Sequence, residues 1–149
     1  MKKFELTSKF ITNIFGTKLF RIKALVEFGN VKAGDLGGYV EKEENLSHEG
    51  NAWVYGNAEV YGDAEVYGNA EVSSNDDYAI GQGFGSEHRA TTFFRTKSGE
   101  IGVKCGCFYG TLSEFRKKVV ETHGETKKAK EYLMLADLME FRFSDSDNK

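Results

Sequence analysis

Two cysteines, one tryptophan, three histidines and no long apolar run set the first limits on this chain of 149 residues. Cys105 and Cys107 are separated by a single residue, too close to form the disulfide framework of a small secreted domain. A membrane-spanning helix needs about 18–20 consecutive apolar residues, and no such run exists. The start, Met1 to Leu6, is broken by Lys2, Lys3 and Glu5 and lacks the apolar stretch of a signal peptide. The expectation is therefore a cytosolic protein. Charge of one sign is also missing locally: residues 50–77 hold no Lys or Arg and six Asp or Glu. Residues 1–49 hold eight basic and seven acidic residues, and residues 78–149 hold twelve and ten. A stretch without bases is a poor nucleic-acid binder, because phosphate contacts need Lys or Arg.

What is present is a repeat. Four hexads run from Gly50 to Ser73, each close to Gly-Asn-Ala-Glu-Val-Tyr. Within each, Ala and Val alternate with Trp or Glu, so that Ala and Val share one side of a short strand. Tyr-Gly-Asn or Tyr-Gly-Asp marks a sharp corner that glycine makes accessible and that Asn or Asp stabilises by bonding to nearby backbone. A bend every six residues predicts a coil, and a repeat unit buries its apolar face only against neighbours. The predicted fold class is mainly β with an α+β C-terminal part. A short, β-helix-like solenoid is capped by an N-terminal β-hairpin and followed by a β-hairpin and two helices. The corresponding divisions are residues 1–49, 50–77 and 78–149.

Along the chain, Phe20, Ile22, Ala24, Val26 and Phe28 alternate with mostly polar residues, the period of a half-buried strand. An earlier strand and a turn around Gly16 precede it, and Glu41 to Glu49 read as polar coil or a degraded repeat. Ile80 to Ser86 read as a glycine-rich loop. Thr91 to Thr96 and Ile101 to Tyr109 form a predicted hairpin. Thr111-Leu112-Ser113-Glu114 is a capping box that starts a helix, which Gly124 stops. A second helix runs from about Thr126 to Phe143, with Ala129, Tyr132, Leu133, Ala136, Met139 and Phe143 at helical spacing. Ser144 to Lys149 read as a polar tail.

Candidate chemistry falls in three places. The loop glycines allow backbone N–H groups to approach an anion, with basic residues nearby; Gly83, Gly85, Ser86, Arg89, Arg95 and Lys104 are the expected ligand-binding set. The solenoid face, acidic and rich in corner aromatics, is the expected partner-binding set: Trp53, Tyr55, Glu59, Tyr61, Glu65, Tyr67 and Glu71. Cys105 and Cys107 on one strand face, with His88 and His123, make a Cys₂His₂ zinc site conceivable, although buried cysteine commonly serves as a small hydrophobe. No metal, cofactor or catalytic residue is expected. His48, beside the repeat, invites comparison with the histidine base of hexapeptide acyltransferases. Those enzymes need several complete turns, and here glycine follows the valine by two residues rather than directly.

The segments Leu19 to Ala24 and Val31 to Glu43, together with the Tyr-Gly-Asn-Ala repeats, resemble phage- and prophage-encoded hexapeptide-repeat proteins over roughly the first half of the chain. The Cys-Gly-Cys-Phe unit and its helices resemble a tail found on some of them. The resemblance implies a small accessory protein acting in the cytosol of a bacterial host. It further implies a non-enzymatic inhibitor of a bacterial defence system that blocks a protein or sequesters a nucleotide signal. Open strand edges add self-association as at least a dimer. The alternatives are an oligomerising or assembly accessory without a ligand, and a small zinc-dependent or acyltransferase-like enzyme.

Overall fold

The computed structural model describes residues 2–144; the predicted tail beyond Ser144 lies outside the described residues. Strand β1 (Phe4–Thr12) turns back into β2 (Lys18–Ala24), which pairs antiparallel with β3 (Leu36–Val40). Three short strands follow in the hexads: β4 (Trp53–Val54), β5 (Glu59–Val60) and β6 (Glu71–Val72). Beyond them come β7 (Tyr78–Phe84), β8 (Arg89–Arg95), β9 (Ile101–Cys105) and β10 (Phe108–Thr111). Helices α1 (Leu112–His123) and α2 (Lys127–Arg142) close the order. The sheets run β1-β2-β3-β5, β10-β9-β8-β7 and β4-β6.

The predicted β-solenoid is corrected by this topology. Among the described residues the fold is mixed α/β, with three sheets and two α-helices, and the main ladders are antiparallel. The hexad strands are two residues long and are dealt to different sheets. β5 lies parallel to β3 at the edge of the first sheet, β4 pairs only with β6, and Val66 makes a single bridge to Leu46. Strands this short carry too few ladder bonds to stand as a stack, and four hexads supply no further copies to cover them. The apolar row is buried all the same. Ala52, Val54, Ala58, Val60, Ala64, Val66, Ala70 and Val72 join one core with Phe4, Ile22, Val40 and Phe94, so the flanking sheets supply the cover. The N-terminal segment is likewise more than a hairpin cap: β3 extends it and admits β5.

The second correction concerns residues 80–86. Residues 80–84 form most of β7, an edge strand paired with β8, and only Gly85 and Ser86 lie in the turn that follows it. Glycine in this strand has a packing reason: a Cβ on Gly81 would lie 2.8 Å from Leu135 Cδ2, where α2 crosses the sheet. The helices cover the second sheet and enclose a second core of Phe93, Val103, Leu112, Phe115, Val119, Ala129, Tyr132, Ala136 and Met139. Thr111 caps α1 by accepting from the Glu114 N–H at 3.2 Å while Glu114 Oε1 accepts from the Thr111 N–H at 2.8 Å. Gly124, at φ 61°, ends it.

Candidate ligand-binding cleft

The turn Gly85-Ser86-Glu87-His88 joins β7 to β8, and the turn at Gly106-Cys107 joins β9 to β10. The two turns lie at the same end of the sheet because β8 and β9 are antiparallel neighbours. Two glycines bring other groups close to them. A Cβ on Gly85 would sit 2.4 Å from the Tyr132 hydroxyl, and one on Gly106 would sit 2.9 Å from Arg89 Cδ. Tyr132 of α2 thus reaches the first turn, and the Arg89 side chain lies across the second.

Between these turns and α1 is a cleft of about 240 Å³. One wall is aromatic. The Phe115 ring meets Tyr132 edge-on at 5.5 Å and Phe108 at 5.9 Å between centroids. The opposite rim carries Ser86 and Glu87 from the first turn and Arg89 from the start of β8, and Lys118 and His123 come from α1. Arg89 and Lys118 have no carboxylate within ion-pair distance among the described residues. The floor is softer: Thr91 Oγ1 donates to Cys105 Sγ at 3.1 Å, and Cys105 Sγ lies 3.9 Å from the Tyr132 hydroxyl. Burial, followed by the neighbouring Cys105, pushes the Tyr132 hydroxyl up to about 12. It stays protonated at neutral pH and can donate a hydrogen bond.

Arg89 also borders a second, more polar cleft of about 620 Å³. There Asp63 accepts from Gln82 Nε2 at 2.9 Å and pairs with Lys42 at 3.3 Å. These two contacts, Gln82 first, hold its carboxyl below the usual range.

Of the six expected ligand-binding residues, Gly85, Ser86 and Arg89 meet at the smaller cleft. Gly83 lies in β7 at φ 97° and lines neither cleft. Arg95 stands six residues away from Arg89 on β8, roughly 20 Å by strand rise. It pairs with Asp77 at 2.8 Å and donates to the Phe143 carbonyl at 3.2 Å, so it clamps the end of α2. Lys104 is buried; it donates to the Gly106 carbonyl, pairs with Glu65 at 3.4 Å and lies over the Tyr67 ring.

The expected partner-binding row is drawn inward. Trp53 is 1% exposed, wedged edge-on between Phe4 and Phe28, which corrects its placement on a solvent face. Tyr55 and Tyr67 are half-buried against the first core. Tyr61, Glu59, Glu65 and Glu71 are half-buried too, Glu65 as the partner of Lys104. Burial, with Glu71 nearby, raises the Tyr55 hydroxyl above its ordinary value.

Cys105 ends β9 whereas Cys107 sits exposed in the following turn, so they do not share a strand face. With His88 and His123 they form no metal-holding group among the described residues. His48 is committed to the fold. Its Nδ1 accepts from the Lys3 N–H at 3.0 Å, which assigns the proton to Nε2, 2.7 Å from Glu43, and its ring stacks on Phe4 at 4.3 Å. The His48 bond is the largest cause holding the Glu43 carboxyl below its usual range.

Sequence reasoning missed Lys118, Tyr132, Phe108 and Phe115. Lys118 reads as the solvated face of α1 and Tyr132 as helix packing, and both readings hold as far as one element goes. Only the docking of α1 and α2 on the sheet brings them beside Arg89. No protein-family model matches the chain, and no curated protein matches it.

Proposed function

We propose that this chain is a non-enzymatic binding protein that captures a small anionic aromatic ligand, a nucleotide-type signal, in the cleft beside Arg89. In the setting implied by the resemblance to phage hexapeptide-repeat proteins, such capture inhibits a bacterial defence system by removing its signal from the host cytosol. The observation that carries this reading is the pairing of two cations lacking ion-pair partners among the described residues, Arg89 and Lys118, with the aromatic wall of Phe108, Phe115 and Tyr132. A phosphate suits Arg89, whose planar fork matches two of its oxygens, and a base stacks on an aromatic ring. At about 240 Å³ the cleft falls just below the usual range of small-molecule sites, roughly 300–1,000 Å³. That size suits one base with its phosphate at the mouth. Protein blocking is the weaker form of the idea, because the row proposed for it is half-buried. Among the described residues no helix is long and apolar enough to cross a membrane.

The test is calorimetric titration of the purified protein with adenosine and guanosine monophosphates and with cyclic dinucleotides. Arg89→Ala should weaken the best of these at least tenfold, and Lys118→Ala should weaken it by a smaller factor. Lys117→Ala, next along α1, should leave it unchanged. No saturable binding by any of these ligands, or equal affinity in Arg89→Ala, would overturn the reading.

A further inference from the structure

The hairpin of β1 and β2 ends in a tip that is rigid and apolar. Asn13 Oδ1 accepts from the N–H groups of Phe15 and Thr17 at 2.9 and 3.0 Å. The Asn13 N–H donates to the Thr17 carbonyl, and Gly16 closes the turn at φ 84° by donating to the Asn13 carbonyl. Local bonds thus fix the turn, yet it holds Ile14 and Phe15 in water, 92% and 77% exposed. A preorganised pair of large apolar side chains forfeits little ordering entropy when it docks. The hairpin is also cationic around them: Lys9 and Lys18 flank the tip, and no acidic residue occurs from Leu6 to Val26.

The complementary feature lies on the outer side of α2. Met134, Leu138 and Phe141, at spacings of four and three, form one exposed stripe on the side turned away from the second core. Asp137 and Glu140 border its C-terminal half. Arg116 of α1 bonds one oxygen of each at 2.8 and 2.7 Å, and both carboxylates remain mostly exposed. The tip and the stripe both stay open to solvent in the single chain, so neither covers the other.

We infer that the occupant of each patch is a second copy of this chain: the Ile14–Phe15 tip of one copy seats on the Met134–Leu138–Phe141 face of the next. Charge complementarity decides the orientation. Tip against tip would oppose cation to cation, whereas tip against helix sets Lys9 and Lys18 beside Asp137 and Glu140. Such a contact is heterologous: it closes into a ring where the rotation between copies permits and otherwise extends head to tail. It is small, at the weak end of specific interfaces, and its extent therefore depends on protein concentration. The sites for the signal and for the second copy are separate, and either proposal can fail alone.

Sedimentation velocity over a concentration series tests this on the full chain. The wild-type mass should rise with concentration and fall back as salt is added. The tip variant, Ile14→Ser with Phe15→Ser, should sediment as a monomer, as should the face variant, Met134→Ser with Leu138→Ser and Phe141→Ser. An equimolar mixture of the two variants keeps one intact tip and one intact face per pair, so it should yield a two-chain species and stop there. All five substituted side chains are exposed, and circular dichroism checks that each variant is folded. A wild type that stays monomeric throughout overturns the inference. So does assembly by either variant alone, or a mixture of folded variants that remains monomeric.

Discussion

Lys3 carries an ammonium into the first core, where it is 3% exposed and its Nζ donates to the Ala52 carbonyl at 2.7 Å and the Gly50 carbonyl at 3.3 Å. Burial lowers its pKa from 10.5 to about 8. Between those values the folded chain has released a proton that the unfolded chain keeps, so stability rises with pH across this window. A neutral amine still has two N–H groups for the two carbonyls. Tyr132 acts in the opposite sense, but its raised value of about 12 places its loss of stability above about pH 10. We expect the urea-unfolding stability of the wild type, relative to Lys3→Met, to gain on the order of 1–2 kcal/mol between about pH 7.5 and 9.5. Parallel pH profiles for the two proteins would contradict this assignment. Sequence position alone makes Lys3 a solvated residue near a terminus, just as it makes Trp53 the odd member of a glutamate row. Burial at both sites comes from the β1 segment lying over the first hexad, a contact between residues about 50 positions apart. The cleft follows the same rule: Gly85, Ser86 and Arg89 are adjacent in sequence and legible there, whereas Lys118 and Tyr132 arrive from helices whose docking the sequence does not declare.

Elements were legible where a local signal agreed with the final environment. The capping box at Thr111, the stop at Gly124 and the helical stripe of α2 each name their own structure, whereas the alternation read through Phe28 is a strand only as far as Ala24, and the predicted strand Ile101 to Tyr109 is broken by the turn at Gly106-Cys107 into β9 and β10. The hexads mislead because corner chemistry and inward Ala and Val are local properties, whereas stacking depends on how many copies there are to stack. Glycine misleads at β7, where Gly81 makes room for Leu135 instead of loosening the chain. The same close approach governs β3. A Cβ on Gly38 would lie 2.6 Å from the Ala58 carbonyl oxygen and 2.7 Å from Val54 Cγ1, and Gly38 is itself buried. Backbone cannot move aside as a flexible side chain can, so the parallel contact of β3 with β5 would have to open. Gly38→Ala should therefore cost roughly 1–3 kcal/mol by overpacking, read as a lower urea midpoint. Gly99→Ala is the useful comparison. Nothing lies within 4 Å of its added Cβ, and only the strain of φ 91° remains. A Gly38→Ala protein as stable as the wild type would mean that β3 and β5 are not held this close.

At the scale of the molecule, β8 is the wall shared by both cores. Side chains alternate across a strand, so Phe94 faces the first core and Phe93, one residue earlier, faces the second. The hexads are tied to the same sheet: the Glu65 N–H donates to Thr92 Oγ1 at 2.9 Å, Ala70 bridges Thr96, and the Tyr78 hydroxyl donates to the Glu59 carbonyl at 2.7 Å. Two clusters with a common strand and these cross-links should melt as one cooperative unit, despite the three divisions that composition suggests along the chain. The molecule contains its own reporters. Trp53, the only tryptophan, is buried in the first core, and α1 and α2, the only α-helices among the described residues, cover the second. Trp53 fluorescence and the far-ultraviolet helix signal should therefore give superimposable urea transitions. Phe94→Ala should lower both midpoints together, for a loss of about 3–5 kcal/mol of unfolding free energy at a buried phenylalanine, although the residue it removes belongs to the first core alone. If the helix signal held its wild-type midpoint while tryptophan fluorescence shifted, β8 would be two independent faces, and the ligand cleft would rest on a unit that folds without the hexads.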